Sequence, residues 1–143
     1  MPTINRSALV PFSARQMYDL VNDVAAYPAF LPWCSGAAEI ETGADYKIAR
    51  VDIRKGPVRQ QFTTRNTLQD ARQISMALIE GPFRSLDGQW KFADIGDSGC
   101  RVSFDIEFNF AGLLLQKALG PVFNEICSRL VDAFVTRAHE LYQ

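Results

Sequence analysis

RVSFDIEFNF, residues 101–110, alternates apolar and polar side chains without a break. Every second residue from Val102 to Phe110 is apolar, and the residues between them are charged or polar. A period of two predicts a strand of an antiparallel sheet, with one dry face and one wet face. Because a sheet with one dry face has to cover that face, the strand also predicts a second layer.

The residues before this strand carry further strand signals, separated by turn residues such as Gly56-Pro57 and Gly81-Pro82. The predicted strands are Thr3–Val10, Ala37–Glu41, Tyr46–Arg54, Val58–Leu68, Ile74–Ile79 and the stretch from Leu86 to Phe92. Together with residues 101–110 they make about seven strands.

Helices are predicted on both sides of this strand-rich region. Ser13, with Gln16 three residues later, reads as a capping box that opens a first short helix. Asp23 is placed to cap a second one. The chain ends in a long helix whose main segment is expected to begin with Pro121 at its first position. An apolar stripe at helical spacing runs along it, formed by Phe123, Ile126, Cys127, Leu130 and Phe134.

This order of elements predicts an α+β fold, in which a curved antiparallel sheet wraps around the long C-terminal helix. Two short helices follow the first strand. The dry face is rich in aromatic residues, since the chain has ten Phe and two Trp. At this point two interpretations stay open: a solid aromatic core, or a cavity between sheet and helix.

Length and composition narrow the class of protein. The 143 residues, 48% hydrophobic and 22% charged, predict a single globular domain spanning residues 1–143. A net charge of -1 excludes a protein that coats nucleic acid through bulk charge. The three cysteines form no CxxC pair, so no metal site is expected. The first residues hold no apolar signal segment, which predicts a cytoplasmic protein, with transient contact at the inner membrane surface.

Several segments resemble one branch of the START-like helix-grip proteins, the coenzyme Q-binding START-domain family. They are Tyr27–Cys34 (YPAFLPWC), Gly81–Phe92 and Phe134–Tyr142. Ser7–Pro11 and Met17–Val24 are similar, more narrowly, to a bacterial group within that branch. The resemblance extends over essentially the whole chain.

This resemblance implies two functions of different classes. Members of the branch are taken to bind ubiquinone or a precursor in the cavity and to support respiration, with no other cofactor. The bacterial group is described as binding the large ribosomal subunit and blocking subunit joining, as the toxin of a toxin–antitoxin pair. No binding to DNA is implied.

The ligand-binding residues are expected on the dry face of the sheet, on the apolar stripe and on the stiff, proline-rich loop around Trp33. The predicted cavity residues are Phe30, Trp33, Phe62, Phe83, Trp90, Phe92, Phe104, Phe108, Phe123, Ile126, Leu130, Phe134 and Arg137. Arg137 is the one charge near the apolar stripe, so we expect either a quinone carbonyl as its partner or a structural role.

A cluster of cations around Gly56-Pro57 suggests a second site. Arg54, Lys55 and Arg59 are predicted to contact ribosomal RNA or acidic lipid head groups, with an ordinary solvated hairpin as the alternative.

The sequence offers little for catalysis. Some helix-grip proteins are polyketide cyclases, so a cyclase-like enzyme, or another small-lipid carrier, is the alternative function. His139 is the sole histidine and is predicted on the polar side of the last helix. Asp105 and Glu107 share the wet face of their strand. We therefore predict no catalytic residues and no enzyme.

Overall fold

The computed structural model describes residues 3–142. Met1, Pro2 and Gln143, which the predicted domain span includes, lie outside the described residues. The strands are β1 Thr3–Val10, β2 Cys34–Thr42, β3 Tyr46–Lys55, β4 Val58–Gln69, β5 Gln73–Glu80, β6 Phe83–Ile95 and β7 Gly99–Phe110. The helices are α1 Ala14–Asn22, a 3₁₀ helix Val24–Ala29, and α2 Leu113–Tyr142.

The strands form one antiparallel sheet in the order β1-β7-β6-β5-β4-β3-β2. Strands β2 to β7 follow one another as hairpins, and β1 closes the order by pairing with β7, with Ile4 opposite Ile106. Register shifts mark extra residues in three strands: twice in β2, once in β5 opposite Thr63 and Thr64, and once at the start of β6. Because an extra residue bends its strand, these irregularities help the sheet to curve around α2.

The period-two pattern of β7 is confirmed. Its inner residues Val102, Phe104, Ile106 and Phe108 are buried, whereas the residues between them are half-buried or exposed. The inner face of the sheet packs on α2, which buries Phe123, Ile126, Cys127 and Phe134 of the predicted stripe. The curved sheet around a long helix confirms the predicted helix-grip fold.

The first helix begins as predicted. The Ser13 hydroxyl accepts a hydrogen bond from the Gln16 backbone N–H, and the Gln16 side chain accepts one from the Ser13 backbone N–H. The second short helix differs in detail. Asp23 precedes it without a capping hydrogen bond from its side chain, and Pro28 lies inside the helix.

The long helix starts earlier than the sequence predicted. It begins at Leu113, directly after Gly112 with φ +117°, and Pro121 lies in its interior. A proline there removes one backbone hydrogen bond and usually breaks a helix. Leu119 and Phe123, on either side of it, are buried against the sheet, so their packing holds the helix continuous. Within residues 3–142, no helix has the length and apolarity needed to cross a membrane.

Candidate functional site: an apolar cavity under the helix

A cavity of about 70 Å³ lies between the inner face of the sheet and α2. Seven predicted residues line it: Trp33, Phe62, Trp90, Phe104, Phe123, Ile126 and Leu130. Eleven other residues complete its wall: Val24, Tyr27, Ala49, Val51, Ile53, Thr64, Asn66, Met76, Leu86, Ile106 and Cys127. Small-molecule sites usually measure roughly 300–1,000 Å³, so a ligand has to widen this cavity on entering.

Five predicted aromatic residues lie elsewhere. Phe92 packs edge-on against Tyr18 of α1, outside the cavity wall. Phe134 contacts the rings of Tyr27, Phe30 and Trp90 at one end of the cavity. Phe83 and Phe108 pack on Phe123 at the other end. None of these five rings therefore lines the cavity.

Arg137 is also outside the cavity. Its Nη1 lies 3.3 Å from Glu140 Oε1, and its guanidinium lies over the Phe30 ring, 5.2 Å from the centroid. The side chain is 27% exposed. The helix presents Arg137 beside the stripe rather than on it, so the long side chain reaches water past the edge of Phe30. The predicted contact with a quinone carbonyl therefore lacks a geometric basis.

The cavity wall contains one polar pair that the sequence interpretation missed. The Thr64 hydroxyl donates to Asn66 Oδ1 at 2.7 Å, and both residues are buried. Among the described residues, the Asn66 amide nitrogen has no hydrogen bond of its own, which leaves two N–H donors beside the cavity. The sequence does contain a signal for this pair, because the period of two places Thr64 and Asn66 on the same face of β4 as Phe62.

The titratable groups of the cavity do not suit acid–base chemistry. Of the residues that line it, only Tyr27 and Cys127 can titrate. Burial raises the pKa of both side chains well above their ordinary values, so both stay protonated at neutral pH. The Tyr27 hydroxyl donates to the Val21 carbonyl and is thereby fixed in place.

Two further titratable side chains, Cys100 and His139, lie away from the cavity. Burial, with the nearby Asp94 charge, raises the pKa of Cys100 to about 11. His139 was predicted on the polar side of α2, but it is half-buried with its ring edge-on to Phe12, 4.9 Å between centroids. This end of α2 packs on the β1–α1 connection, and Tyr142 donates to the Gln16 carbonyl there. Residues 3–142 hold no group of three or more His, Cys, Asp or Glu side chains that could bind a metal ion.

A solvent-open vestibule of about 450 Å³ adjoins the cavity, between the Trp33 loop and α2. Trp33 and Ile126 line both spaces and therefore separate them. An ion pair from Lys55 Nζ to Glu125 Oε2, 2.8 Å long, spans the vestibule from the β3–β4 hairpin to α2. Both partners are more than one-third exposed, and such pairs contribute about 0–1 kcal/mol, so separating them costs little.

The β3–β4 hairpin has fewer unpaired cations than its sequence suggests. Lys55 is paired with Glu125, and two other nearby arginines are occupied: Arg50 by Asp52, and Arg65 by stacking on the Tyr46 ring. Arg54 and Arg59 are exposed and directly opposite each other across the hairpin, with no ion pair among the described residues. Like charges in this position are destabilising, so the pair is well suited to an external anion.

The comparisons with known proteins agree with this architecture. The model of a family described as polyketide cyclase/dehydrase and lipid transport matches residues 10–135. The chain belongs to this family, which confirms the START-like resemblance drawn from the sequence.

Two curated relatives are more specific. The ribosome association toxin RatA of Escherichia coli is 46% identical over 142 residues, which cover 99% of this chain and 90% of that protein. The mitochondrial coenzyme Q-binding protein COQ10 homolog B of Xenopus laevis is 28% identical, over 96% of this chain and 58% of that protein. The chain is thus a homologue of RatA-type toxins and, more distantly, of a coenzyme Q-binding protein.

Among solved structures, the Zhui aromatase/cyclase of a Streptomyces species superposes with a TM-score of 0.88. The match covers 99% of this chain and 96% of that one, at 16% identity. At this identity, the likeness concerns the fold alone.

Proposed function

We propose that the chain binds an isoprenoid quinone, or a similar molecule with an apolar tail and a carbonyl head, between the sheet and α2. The observation that carries this proposal is the Thr64–Asn66 pair in an otherwise apolar cavity wall. An apolar pocket with a few placed polar groups is the usual form of a small-molecule site. The 28% identity to a coenzyme Q-binding protein supports the same ligand class.

The polar pair would recognise the head of the ligand. The free N–H groups of Asn66 can donate to a quinone carbonyl, while Trp90 and Phe104 offer ring faces beside it. The tail would run past Ile126 towards the vestibule. Entry of the ligand requires displacement of Trp33 and separation of the weak Lys55–Glu125 pair. These two changes would join the cavity to the larger vestibule.

The cavity also favours a carrier over an enzyme. A cyclase needs titratable groups that face its substrate, whereas this wall offers only a tyrosine and a cysteine that burial keeps protonated.

The double variant Thr64→Val/Asn66→Leu tests the head-group site. Replacing both hydrogen-bonding partners by apolar residues of similar shape costs little stability, because no polar atom is left unpaired. We expect the variant to fold normally but to bind a short-chain quinone about tenfold more weakly. This corresponds to a loss of about 1.4 kcal/mol in binding free energy. Both tryptophans of the chain line the cavity, so quenching of tryptophan fluorescence by the quinone gives the affinity directly.

Arg137→Met is the control, because it removes hydrogen-bond donors that lie outside the cavity. Its quinone affinity should equal that of the wild type. Equal affinity in the wild type and the Thr64/Asn66 variant would contradict the head-group role of the pair. Absence of quenching in the wild type would contradict quinone binding itself.

The relationship to RatA supports a second candidate function, association with the large ribosomal subunit. We propose that Arg54 and Arg59 contact ribosomal RNA phosphates there. They are the two cations of the hairpin without an ion pair among the described residues, and they lie side by side across the strands. Two guanidinium groups at this spacing match successive phosphates on one strand better than a single cation does.

Charge reversal, Arg54→Glu with Arg59→Glu, should lower co-sedimentation with purified large subunits at least about tenfold, and should flatten its dependence on salt. The melting temperature should change little, since both side chains are exposed.

Arg72→Glu with Arg101→Glu is the control for net charge, because both are exposed arginines away from the β3–β4 hairpin, one in the β4–β5 turn and one on β7. Equal loss in the two double variants would mean that only total charge matters, and unaltered co-sedimentation of the hairpin variant would remove Arg54 and Arg59 from the interface.

A further inference from the structure

The first turn of α2 exposes two large apolar side chains. Leu113 is 65% exposed and Leu114 is 85% exposed, the highest value among the exposed large hydrophobic residues of the described chain. They follow Gly112, where the backbone turns out of β7 into the helix. Leucines this exposed lower the solubility of a protein, so a pair of them at one point suggests a surface that is covered in use.

The same helix face continues with few polar groups. At about 100° per residue, Lys117 projects between the directions of Leu113 and Leu114, and Ala118 and Pro121 lie beside it. All of these are exposed. Lys117 is the only charged residue between Phe108 and Phe123. A lysine on an apolar face can extend its ammonium group to lipid phosphates while its carbon chain stays in the apolar layer.

One further arginine, Arg84, follows the turn that contacts the start of α2. The Ala111 backbone N–H donates to the Pro82 carbonyl, which holds the β5–β6 turn with Arg84 against the start of α2. No ion pair involves Lys117 or Arg84 among the described residues, and Glu80 is the one acidic residue of that turn. The first turn of α2 also contains no acidic residue, so the positive end of its dipole is not neutralised. The charge at this end suits an anionic surface.

An apolar groove lies near the start of α2, but neither exposed leucine lines it. This narrow groove runs between the hairpin, the β5–β6 turn and α2, with Val58, Pro82 and Val122 among its walls. Ile53, Phe62 and Phe123 line both this groove and the cavity. These three side chains therefore lie between the groove and the cavity.

We propose that the start of α2, with Leu113, Leu114 and Lys117, docks on an anionic membrane surface. Docking itself is independent of the ligand, so it can be tested apart from the proposed quinone binding. This places the membrane contact on α2 and not on the Trp33 loop, whose tryptophan is half-buried between cavity and vestibule.

Flotation with phosphatidylcholine vesicles, with and without phosphatidylglycerol, tests the docking. The wild type should bind the anionic vesicles, and Leu113→Glu/Leu114→Glu should lose at least about tenfold in affinity, because charged side chains replace the two leucines that would enter the lipid. Lys117→Glu should reduce the preference for phosphatidylglycerol. A short-chain quinone in solution should still quench the tryptophan fluorescence of the leucine variant. This measurement separates failure of docking from failure of ligand binding.

Leu9→Glu/Ile95→Glu is the matched control, with comparably exposed residues at the opposite end of the β6–β7 hairpin. Its vesicle binding should equal that of the wild type. Equal loss in the two double variants, or no binding of the wild type to either vesicle, would overturn the proposal. So would a wild-type dimer that the Leu113/Leu114 variant dissociates, because a second copy would then be the occupant of this face.

Discussion

We expect Phe134→Ala to lower the free energy of unfolding by about 3–5 kcal/mol, the usual cost of removing a fully buried phenylalanine. Phe134 is 1% exposed and contacts the rings of Tyr27, Phe30 and Trp90 at centroid distances of 5.3–5.4 Å. It therefore joins α2 to the 3₁₀ helix and to the centre of the sheet. Because domains are stable by only about 5–15 kcal/mol, this loss should lower the melting temperature by roughly 10 °C.

Urea denaturation followed by tryptophan fluorescence measures this effect, since Trp90 reports directly on the packing around Phe134. Phe134→Leu keeps an apolar side chain and should lose less than about 1.5 kcal/mol. Leu141→Ala, at a half-exposed position of the same helix, is the surface control and should be nearly neutral. A loss below about 1 kcal/mol for Phe134→Ala would show that this end of the helix is not held by the aromatic cluster.

The fold followed from local patterns in the sequence. The alternation of β7 determined which face is dry, and the Gly-Pro turns divided the strands correctly. The capping box at Ser13 determined the start of α1. These signals are local because a strand's faces and a helix's first turn depend on residues two to four positions apart. The predicted start of α2 was wrong. Proline is usually excluded from helix interiors, but the packing of Leu119 and Phe123 against the sheet keeps the helix continuous through Pro121.

The cavity wall was less predictable. Alternation indicates that Trp90, Phe92, Phe104 and Phe108 share one face of the sheet, but it does not reveal which part of that face α1 covers. The structure puts Phe92 under α1 and Phe108 in the cluster around Phe123. Only the relative positions of the covering helices decide this, and those depend on contacts between residues distant in sequence.

The polar residues of the inner face were missed for a different reason. The predicted cavity wall was almost entirely apolar. The period-two pattern of β3 and β4, however, also places polar residues on the inner face of the sheet. Asn66 is one such residue, and Lys47 is its direct cross-strand neighbour. Burial of a polar group requires a partner, so each of them marks an interaction that the apolar pattern alone cannot indicate.

Lys47→Met should lower the free energy of unfolding by about 2–3 kcal/mol. Lys47 is 7% exposed, its Nζ lies 3.1 Å from Glu39 Oε2, and it donates to the Asn22 carbonyl at 2.9 Å. Methionine keeps the apolar part of the side chain but leaves the Glu39 carboxylate and the last carbonyl of α1 without a donor. Breaking a buried pair costs about 3–5 kcal/mol. The Glu39 side chain is 26% exposed and can regain some water, which places the expected loss below that range.

A double-mutant cycle with Glu39→Gln separates the ion pair from the other contacts of Lys47. If the pair matters, Lys47→Met should cost at least about 1 kcal/mol less in the Glu39→Gln background, because no unpaired charge remains. Lys91→Met, an exposed strand lysine without an ion pair among the described residues, should change stability by less than about 0.5 kcal/mol. Urea midpoints for the four proteins of the cycle give the coupling. Additive losses would show that Lys47 acts through the Asn22 carbonyl, where it closes the end of α1, and that its pairing with Glu39 contributes nothing to stability.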